Sequence, residues 1–268
     1  MTPRIAIPLP HSLDPEYAAR AIPQYERAVE LAEGEAVRLD FDQSPSDLQR
    51  IIAACDGVLL PGSKADVDPA SFHATRSPHT AEADTRRDAI DHQLLDHAYL
   101  LRKPILGICY GLQSLNVYHH GSLIQHIPDF LPEELRAKVN HAAGSKVPIA
   151  HSVQIVGGST LAEILHEKSG TTPAPQSLVI PVNSSHHQSA DAIGNALRIV
   201  ARCTDDGVIE ALEGTAPDHF VLAVQWHPER SVDDDALSPA IFRALIKAAA
   251  SRHNDLTGVD SASATEKG

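Results

Sequence analysis

Two short stretches hold the side chains best suited to chemistry. Cys109 stands between two glycines in Gly107-Ile108-Cys109-Tyr110-Gly111, and His227 has a carboxylate two positions on in Trp226-His227-Pro228-Glu229. A thiolate attacks a carbonyl carbon, an imidazole moves the proton, and a carboxylate fixes which ring nitrogen carries it. Together the three types point to nucleophilic catalysis by a thiolate. Gly-x-Cys-x-Gly is the spacing of a strained strand-to-helix turn, which holds its central side chain exposed at the tip. The N-terminus of the following helix and a nearby imidazolium both favour thiolate over thiol. The competing readings are a small core cysteine and a surface histidine with an acid nearby. Both patterns occurring in one chain favours the catalytic reading, with Cys109 as nucleophile, His227 as base and Glu229 as the group that orients it.

The elements around these residues must bring them together. Pro104 opens an apolar run over 105–108 that reads as a central parallel strand, buried on both faces. A second apolar strand over 220–224 delivers His227. Strands over 4–7, 36–39 and 57–60 alternate with helices over 16–33, 45–54 and 81–102, which predicts a parallel sheet with helices on both faces. Pro23 interrupts the first helical pattern, so the helix proper is expected from that residue. On the third helix, Asp84, Arg87 and Asp91 stand three and four residues apart, as on a solvated face. Cys109 falls at a strand's C-terminal end, where open α/β sheets bind ligands. In the second half, residues 128–149 are irregular and 62–80 and 168–176 are loops. Strands are expected over 151–156, 197–203 and 208–212, with a hairpin at Asp205-Asp206-Gly207. A last helix covers 236–252. No linker divides residues 1–252, read as one domain, and the Ser/Thr/Asp-rich tail 253–268 is expected to be disordered.

Composition narrows the partners. The 268 residues carry a net charge of −13, which argues against nucleic acid or an anionic membrane. No window reaches the roughly 18 apolar residues of a membrane-crossing helix. The N-terminus is too short in apolar residues for a signal sequence. The three cysteines, Cys55, Cys109 and Cys203, form neither a disulfide framework nor a Cys-x-x-Cys metal pair, and a reducing cytoplasm fits them best. Cys55 and Cys203 read as inert packing residues.

The motifs resemble those of the class I glutamine amidotransferases: Gly107 to Gln113, and Gln225-Trp226-His227-Pro228-Glu229. Three further stretches resemble the gamma-glutamyl-gamma-aminobutyrate hydrolase branch, peptidase family C26. They are Leu60-Pro61-Gly62-Ser63 leading to Asp66-Val67-Asp68-Pro69, Asn116-Val117 leading to Gly121-Ser122-Leu123-Ile124-Gln125, and Val182-Asn183-Ser184-Ser185-His186-His187-Gln188. The resemblance implies an α/β, flavodoxin-like three-layer α/β/α fold, with a mostly parallel central sheet and an added antiparallel portion. It implies that Cys109 attacks a gamma-glutamyl carbonyl, with Ser63 and Tyr110 giving backbone N–H groups to the oxyanion. Gly62, Gln113, Ser185 and His186 would then meet the glutamyl moiety, and no metal or organic cofactor is needed. The substrate expected is a small gamma-glutamyl amide of polyamine and aminobutyrate catabolism. Alternatives are a glutaminase subunit feeding a separate synthetase, and a silent binding protein of the same fold. Whether the chain forms a homodimer stays open.

Three departures stand out. Ser63 replaces a family glycine, at a cost of roughly 1 kcal/mol if its φ is positive. Tyr110 replaces the branch's arginine. Tyr118-His119-His120 replaces an apolar residue and paired glycines, which suggests a reshaped pocket rim. A His186-His187 pair is also a candidate metal site, but no third ligand lies near it in sequence.

Overall fold

The computed structural model describes residues 1–169 and 177–257. The first half alternates β1 (Arg4–Pro8), α1 (Pro15–Leu31), β2 (Glu35–Leu39), α2 (Pro45–Ala53), β3 (Gly57–Leu60), α3 (Thr85–Leu101), β4 (Ile105–Ile108) and α4 (Tyr110–Tyr118). Next come a two-residue strand β5 (Leu123–Ile124) and short helices α5 (Ile127–Phe130) and α6 (Glu133–Arg136). The remainder is β6 (His151–Val156), α7 (Thr160–Ser169), β7 (Ser177–Val182), β8 (Ser189–Ala190), β9 (Leu197–Cys203), β10 (Ile209–Gly214), β11 (Val221–Val224) and α8 (Ser238–Thr257).

Nine of these strands form one sheet in the order β2-β1-β3-β4-β11-β10-β9-β6-β7. The five from β2 to β11 are mutually parallel. The four beyond them are antiparallel, each to its neighbour. The fold is the expected α/β class, with a large, mostly parallel sheet and an antiparallel extension. Apolar residues alternate between two faces, as period-2 strands require. Ile5, Ile7, Leu59, Leu106, Ile108, Leu222 and Val224 pack under α1, α7 and α8. Ala6, Val58, Leu60, Ile105, Val221 and Ala223 pack under α2, α3 and α4.

Four expectations are corrected. Helix α1 runs unbroken through Pro23. Pro23 lies on the exposed side of a helix whose buried stripe is Ala18, Ala21, Ile22, Tyr25, Ala28 and Val29, so its ring needs no room in the core and the carbonyl it frees faces water. Helix α3 starts at Thr85 rather than 81, because Asp84 caps it by accepting the Arg87 N–H at 3.1 Å. Asp84, Arg87 and Asp91 are fully buried rather than solvated. Arg87 binds Asp91 at 2.7 Å and the carbonyls of Pro10 and Pro61 at 3.0 and 2.8 Å, so it satisfies main-chain acceptors beyond β1 and β3. Strand β7 is absent from the sequence expectation; its run Ser177-Leu178-Val179-Ile180-Pro181-Val182 pairs with β6 over six residue pairs. The last helix continues to Thr257, and the rest of the expected tail, like loop residues 170–176, lies outside the described residues. Among the described residues no helix is long and apolar enough to cross a membrane.

Candidate active site

Strands β4 and β11 are parallel neighbours, with Ile108 opposite Val224. This register puts the residues leaving both strands at the same edge of the sheet. Cys109 follows β4 directly, its N–H bonded to Val224 O at 2.8 Å. It has φ 53° and ψ −103°, a strained conformation for a residue with a side chain and one that costs of order 1–3 kcal/mol. Helix α4 begins at the next residue. The turn is tight because α4 lies against β3: a Cβ on Gly111 would sit 2.2 Å from Leu60 O. Only glycine fits there.

His227 leaves β11 and Glu229 follows in a 3-10 turn, Pro228–Arg230. His227 Nδ1 meets Glu229 Oε1 at 2.7 Å, with both side chains buried. The end of β3 closes the third side. A Cβ on Gly62 would lie 3.0 Å from His227 Cε1 and 3.5 Å from Cys109 Cβ, so both side chains border one glycine. The bare Gly62 leaves the gap between them.

The electrostatics fit a proton-transfer set. Burial alone would lower the His227 pKa, but the charges of Glu229 and then Cys109 outweigh it and raise the ring to about 9. Burial would raise Glu229, yet the His227 ring and Arg230 hold it below the ordinary carboxylate value. Among the described residues His227 Nε2 is buried with no well-formed hydrogen bond, and Cys109 is the neighbour placed to make one. An unpaired nitrogen beside a thiol is suited to exchanging protons with a bound substrate.

Cys109 is only 5 % exposed, against the expectation of an exposed sulfur. The turn does point it at the sheet edge, but Tyr25, Gly62 and His227 crowd the same edge. Two clefts of about 760 and 920 Å³ lie elsewhere, lined by residues such as Thr160, Phe220 and Ser251. Phe220 precedes β11, so these clefts are at the opposite end of the sheet from Cys109.

The other expected site residues divide. Tyr110 is the first residue of α4, where a main-chain N–H has no helical partner. Its side chain does not face the edge. It is buried, donates to Asp88, and lies under the Arg87 guanidinium at 4.9 Å. Ser63 is not among the positive-φ residues, so serine carries no left-handed strain there. Its Oγ accepts the Ala65 N–H at 3.1 Å. Gly62 donates its N–H to Tyr25 Oη at 3.0 Å. Gln113 is buried, its amide committed to Gln188 O and Gln225 Oε1 at 3.2 and 3.3 Å, below the edge. Ser185 is half-buried and accepts from Arg230 Nη1 at 2.7 Å. His186 turns away from the edge: Nδ1 meets Gln188 O at 2.8 Å and Nε2 faces Glu210 at 3.6 Å. The Tyr118-His119-His120 turn stacks on Tyr99 of α3, at the end of α4 remote from Cys109.

Sequence reasoning overlooked three residues. Asn183 accepts the His227 N–H at 2.9 Å and donates to His227 O at 2.8 Å, gripping the histidine by its main chain. It lies in a stretch already singled out, and an amide's paired donor and acceptor was the available signal. Arg230 touches both Glu229, at 3.5 Å, and Ser185. Tyr25 had no signal beyond its place in a helical stripe. The three branch-like stretches also meet in space. His187 Nε2 reaches Asp66 at 3.1 Å, Gln188 donates to Gln125 O at 3.2 Å, and Gln125 Oε1 accepts from Ser77 and Thr80 at 2.8 and 2.7 Å. They pin the long loop 62–80 beside the site.

The family model for Peptidase C26 matches residues 10–229. The chain belongs to the peptidase C26 family. Similar curated proteins include Gamma-glutamyl-gamma-aminobutyrate hydrolase PuuD of Escherichia coli K12, 34% identical over 211 residues, 76% of either chain. Another, of Mycobacterium tuberculosis, bears the name "Putative glutamine amidotransferase Rv2859c" and is 37% identical over 226 residues, 84% of this chain and 66% of that protein's length. Among solved structures, a "putative gmp synthase subunit a protein" of Thermoplasma acidophilum superposes with TM-score 0.61 at 15% identity, covering 96% of this chain and 98% of that one. That structural likeness extends the class I glutamine amidotransferase fold to this C26 chain.

Proposed function

We propose that the protein is a cysteine-dependent hydrolase of gamma-glutamyl amides. The observation that carries the reading is the buried His227–Glu229 contact at 2.7 Å beside the strained Cys109 turn. With its pKa raised to about 9, His227 is a strong enough base to take the Cys109 proton as the sulfur attacks, leaving a thiolate beside an imidazolium. The thiolate sulfur adds to the gamma-carbonyl carbon, and the C=O pair moves onto oxygen. Main-chain N–H groups of Tyr110 and Ser63 receive that oxyanion; such a donor is worth about 10²–10³ in rate. The oxyanion collapses, the C–N bond breaks, and His227 Nε2 gives its proton to the departing amine. The neutral ring then takes a proton from water, whose oxygen attacks the thioester and releases glutamate and thiolate. Glu229 keeps Nε2 as the nitrogen that exchanges protons. Arg230, with Ser185, offers a cation and a hydroxyl for the glutamyl carboxylate.

The test is glutamate release from gamma-glutamyl-gamma-aminobutyrate by the full chain and by Cys109→Ser. Release well above the variant supports the reading; equal background rates refute it. A second reading is favoured by the mycobacterial relative's name: a glutaminase that passes ammonia to a synthetase partner. It expects weak glutamine hydrolysis by the isolated chain, rising when a partner co-purifies. Silent binding is disfavoured by Ser63, whose unstrained φ removes the motive for it.

A further inference from the structure

Away from Cys109, three imidazoles converge on one buried carboxylate. Glu210 lies on β10 and is 0 % exposed. His151 Nε2, His141 Nδ1 and His186 Nε2 stand 3.0, 3.4 and 3.6 Å from its Oε1. The outer nitrogens of two rings are already committed: His141 Nε2 to Asp206 at 2.8 Å, and His186 Nδ1 to Gln188 O at 2.8 Å. A carbonyl only accepts, so His186 Nδ1 carries the hydrogen, and a neutral ring then turns the Nε2 lone pair toward Glu210. His141 lies between Asp206 and Glu210, whose charges outweigh burial and raise the ring to about 11, so with no metal bound its Nδ1 also carries a hydrogen, which a metal ion would displace. Among the described residues His141 Nδ1, His186 Nε2 and Glu210 Oε2 are buried and make no well-formed hydrogen bond, the ring nitrogens standing at 3.4 and 3.6 Å from Glu210 Oε1. A neutral His186 that faces the Glu210 carboxylate with a lone pair in a dry interior is costly unless a cation lies between them.

The spacing fits a metal ion. One ligand atom from each of His141, His186 and Glu210 lies within 4.8 Å of the others. Tetrahedral zinc, with bonds of about 2.0–2.1 Å, sets its ligands about 3.4 Å apart. The separations of 3.4 and 3.6 Å from Glu210 are of that size. Carboxylate and carbonyl partners on the outer ring nitrogens are what orients histidine toward a metal. One divalent charge would also balance the two carboxylates, Glu210 and Asp206, whose side chains are both buried. The histidine pair in the sequence lacked a third ligand nearby; folding supplies His141 and Glu210.

We propose that His141 Nδ1, His186 Nε2 and the Glu210 carboxylate bind one zinc-like divalent ion, with His151 orienting Glu210 by hydrogen bond. Three protein ligands leave the ion's fourth position to a solvent oxygen, and the centre does not rest on the catalytic reading. It ties the segment at His141 to the loop after β7, where His186 N and Ser184 Oγ already bond His141 O at 2.9 and 2.6 Å. Asn183 in that same loop grips His227, so the ion steadies the histidine's support without touching substrate.

The rival occupant is a proton shared by the same groups. To separate them, untagged full-length Cys109→Ser protein is produced with zinc in the medium, and its metal is measured by mass spectrometry after dialysis. The expected content is about one zinc per chain, with protein grown on cobalt showing tetrahedral d–d absorption. Glu210→Gln and His186→Gln should lose the metal, and His151→Gln should weaken retention about 10–100-fold. Folding of each variant is checked by circular dichroism. Metal-free Cys109→Ser protein whose melting temperature is unchanged by refolding in zinc overturns the proposal, and needs no variant at Glu210. Zinc retained by Glu210→Gln but lost in His227→Gln also overturns it, because the ion then belongs to the other site.

Discussion

Replacing Glu229 by glutamine tests the electrostatic core of the proposed mechanism. The substitution keeps size and a hydrogen-bond acceptor but removes the charge 2.7 Å from His227 Nδ1. Raising a histidine from 6.5 to about 9 corresponds to roughly 3 kcal/mol of net preference for imidazolium. Burial works against that preference, so the opposing charges supply more than the net, and Glu229 is the largest of them. Without it the ring should titrate below 9 and be a weaker base for the Cys109 proton. The sign follows from linkage: a raised histidine pKa stabilises fully below about 6.5 and loses that contribution as pH climbs through about 9. Wild-type melting temperature should therefore fall across that window, and Glu229→Gln should flatten the fall. Two assays read the effect: the pH profile of glutamate release, and the rate of Cys109 alkylation by iodoacetamide. The expected loss in kcat is about 10²–10⁴-fold, with the alkaline limb moved to lower pH. A variant that keeps its alkaline limb near 9 and its rate within a few-fold would refute the reasoning, because Glu229 would then not set the state of His227.

Asn183→Ala removes both main-chain contacts to His227 and should destabilise by about 1–3 kcal/mol, read by urea unfolding, while lowering kcat more than it changes KM. Asp91→Asn leaves the Arg87 charge buried without its partner and should cost about 3–5 kcal/mol, seen as a reduced denaturation midpoint. Gly111→Ala drives a methyl to 2.2 Å from Leu60 O; melting should show a loss of at least about 1–3 kcal/mol, or no folded protein, and an unchanged melting temperature would mean that α4 does not lie this close to β3.

The parallel half of the sheet was legible in the residues. Its strands are short, apolar and bounded by Pro and Gly, and its helices carry a buried stripe, so each local choice agrees with the final packing. The Cys109 turn was legible for the same reason: a corner that leaves no space for a Cβ at Gly111 must write that glycine into the chain. Strand β7 was hidden because Pro181 interrupts its apolar run, and a proline is tolerated in a strand at the sheet edge that β7 turns out to occupy.

The sequence by itself determined the residue types for thioester chemistry, the alternation that makes the parallel sheet, and the family-like stretches around the site. Only the tertiary structure decided that Arg87 is a buried strut rather than a solvated charge, that Asn183 holds His227, and that His186 joins His141 and Glu210 instead of the cleft. The physical reason is one of range. Propensity and periodicity act over a few neighbouring residues, whereas a buried charge is settled by whichever distant backbone or side-chain group can satisfy it, and that partner exists only once the strands have aligned.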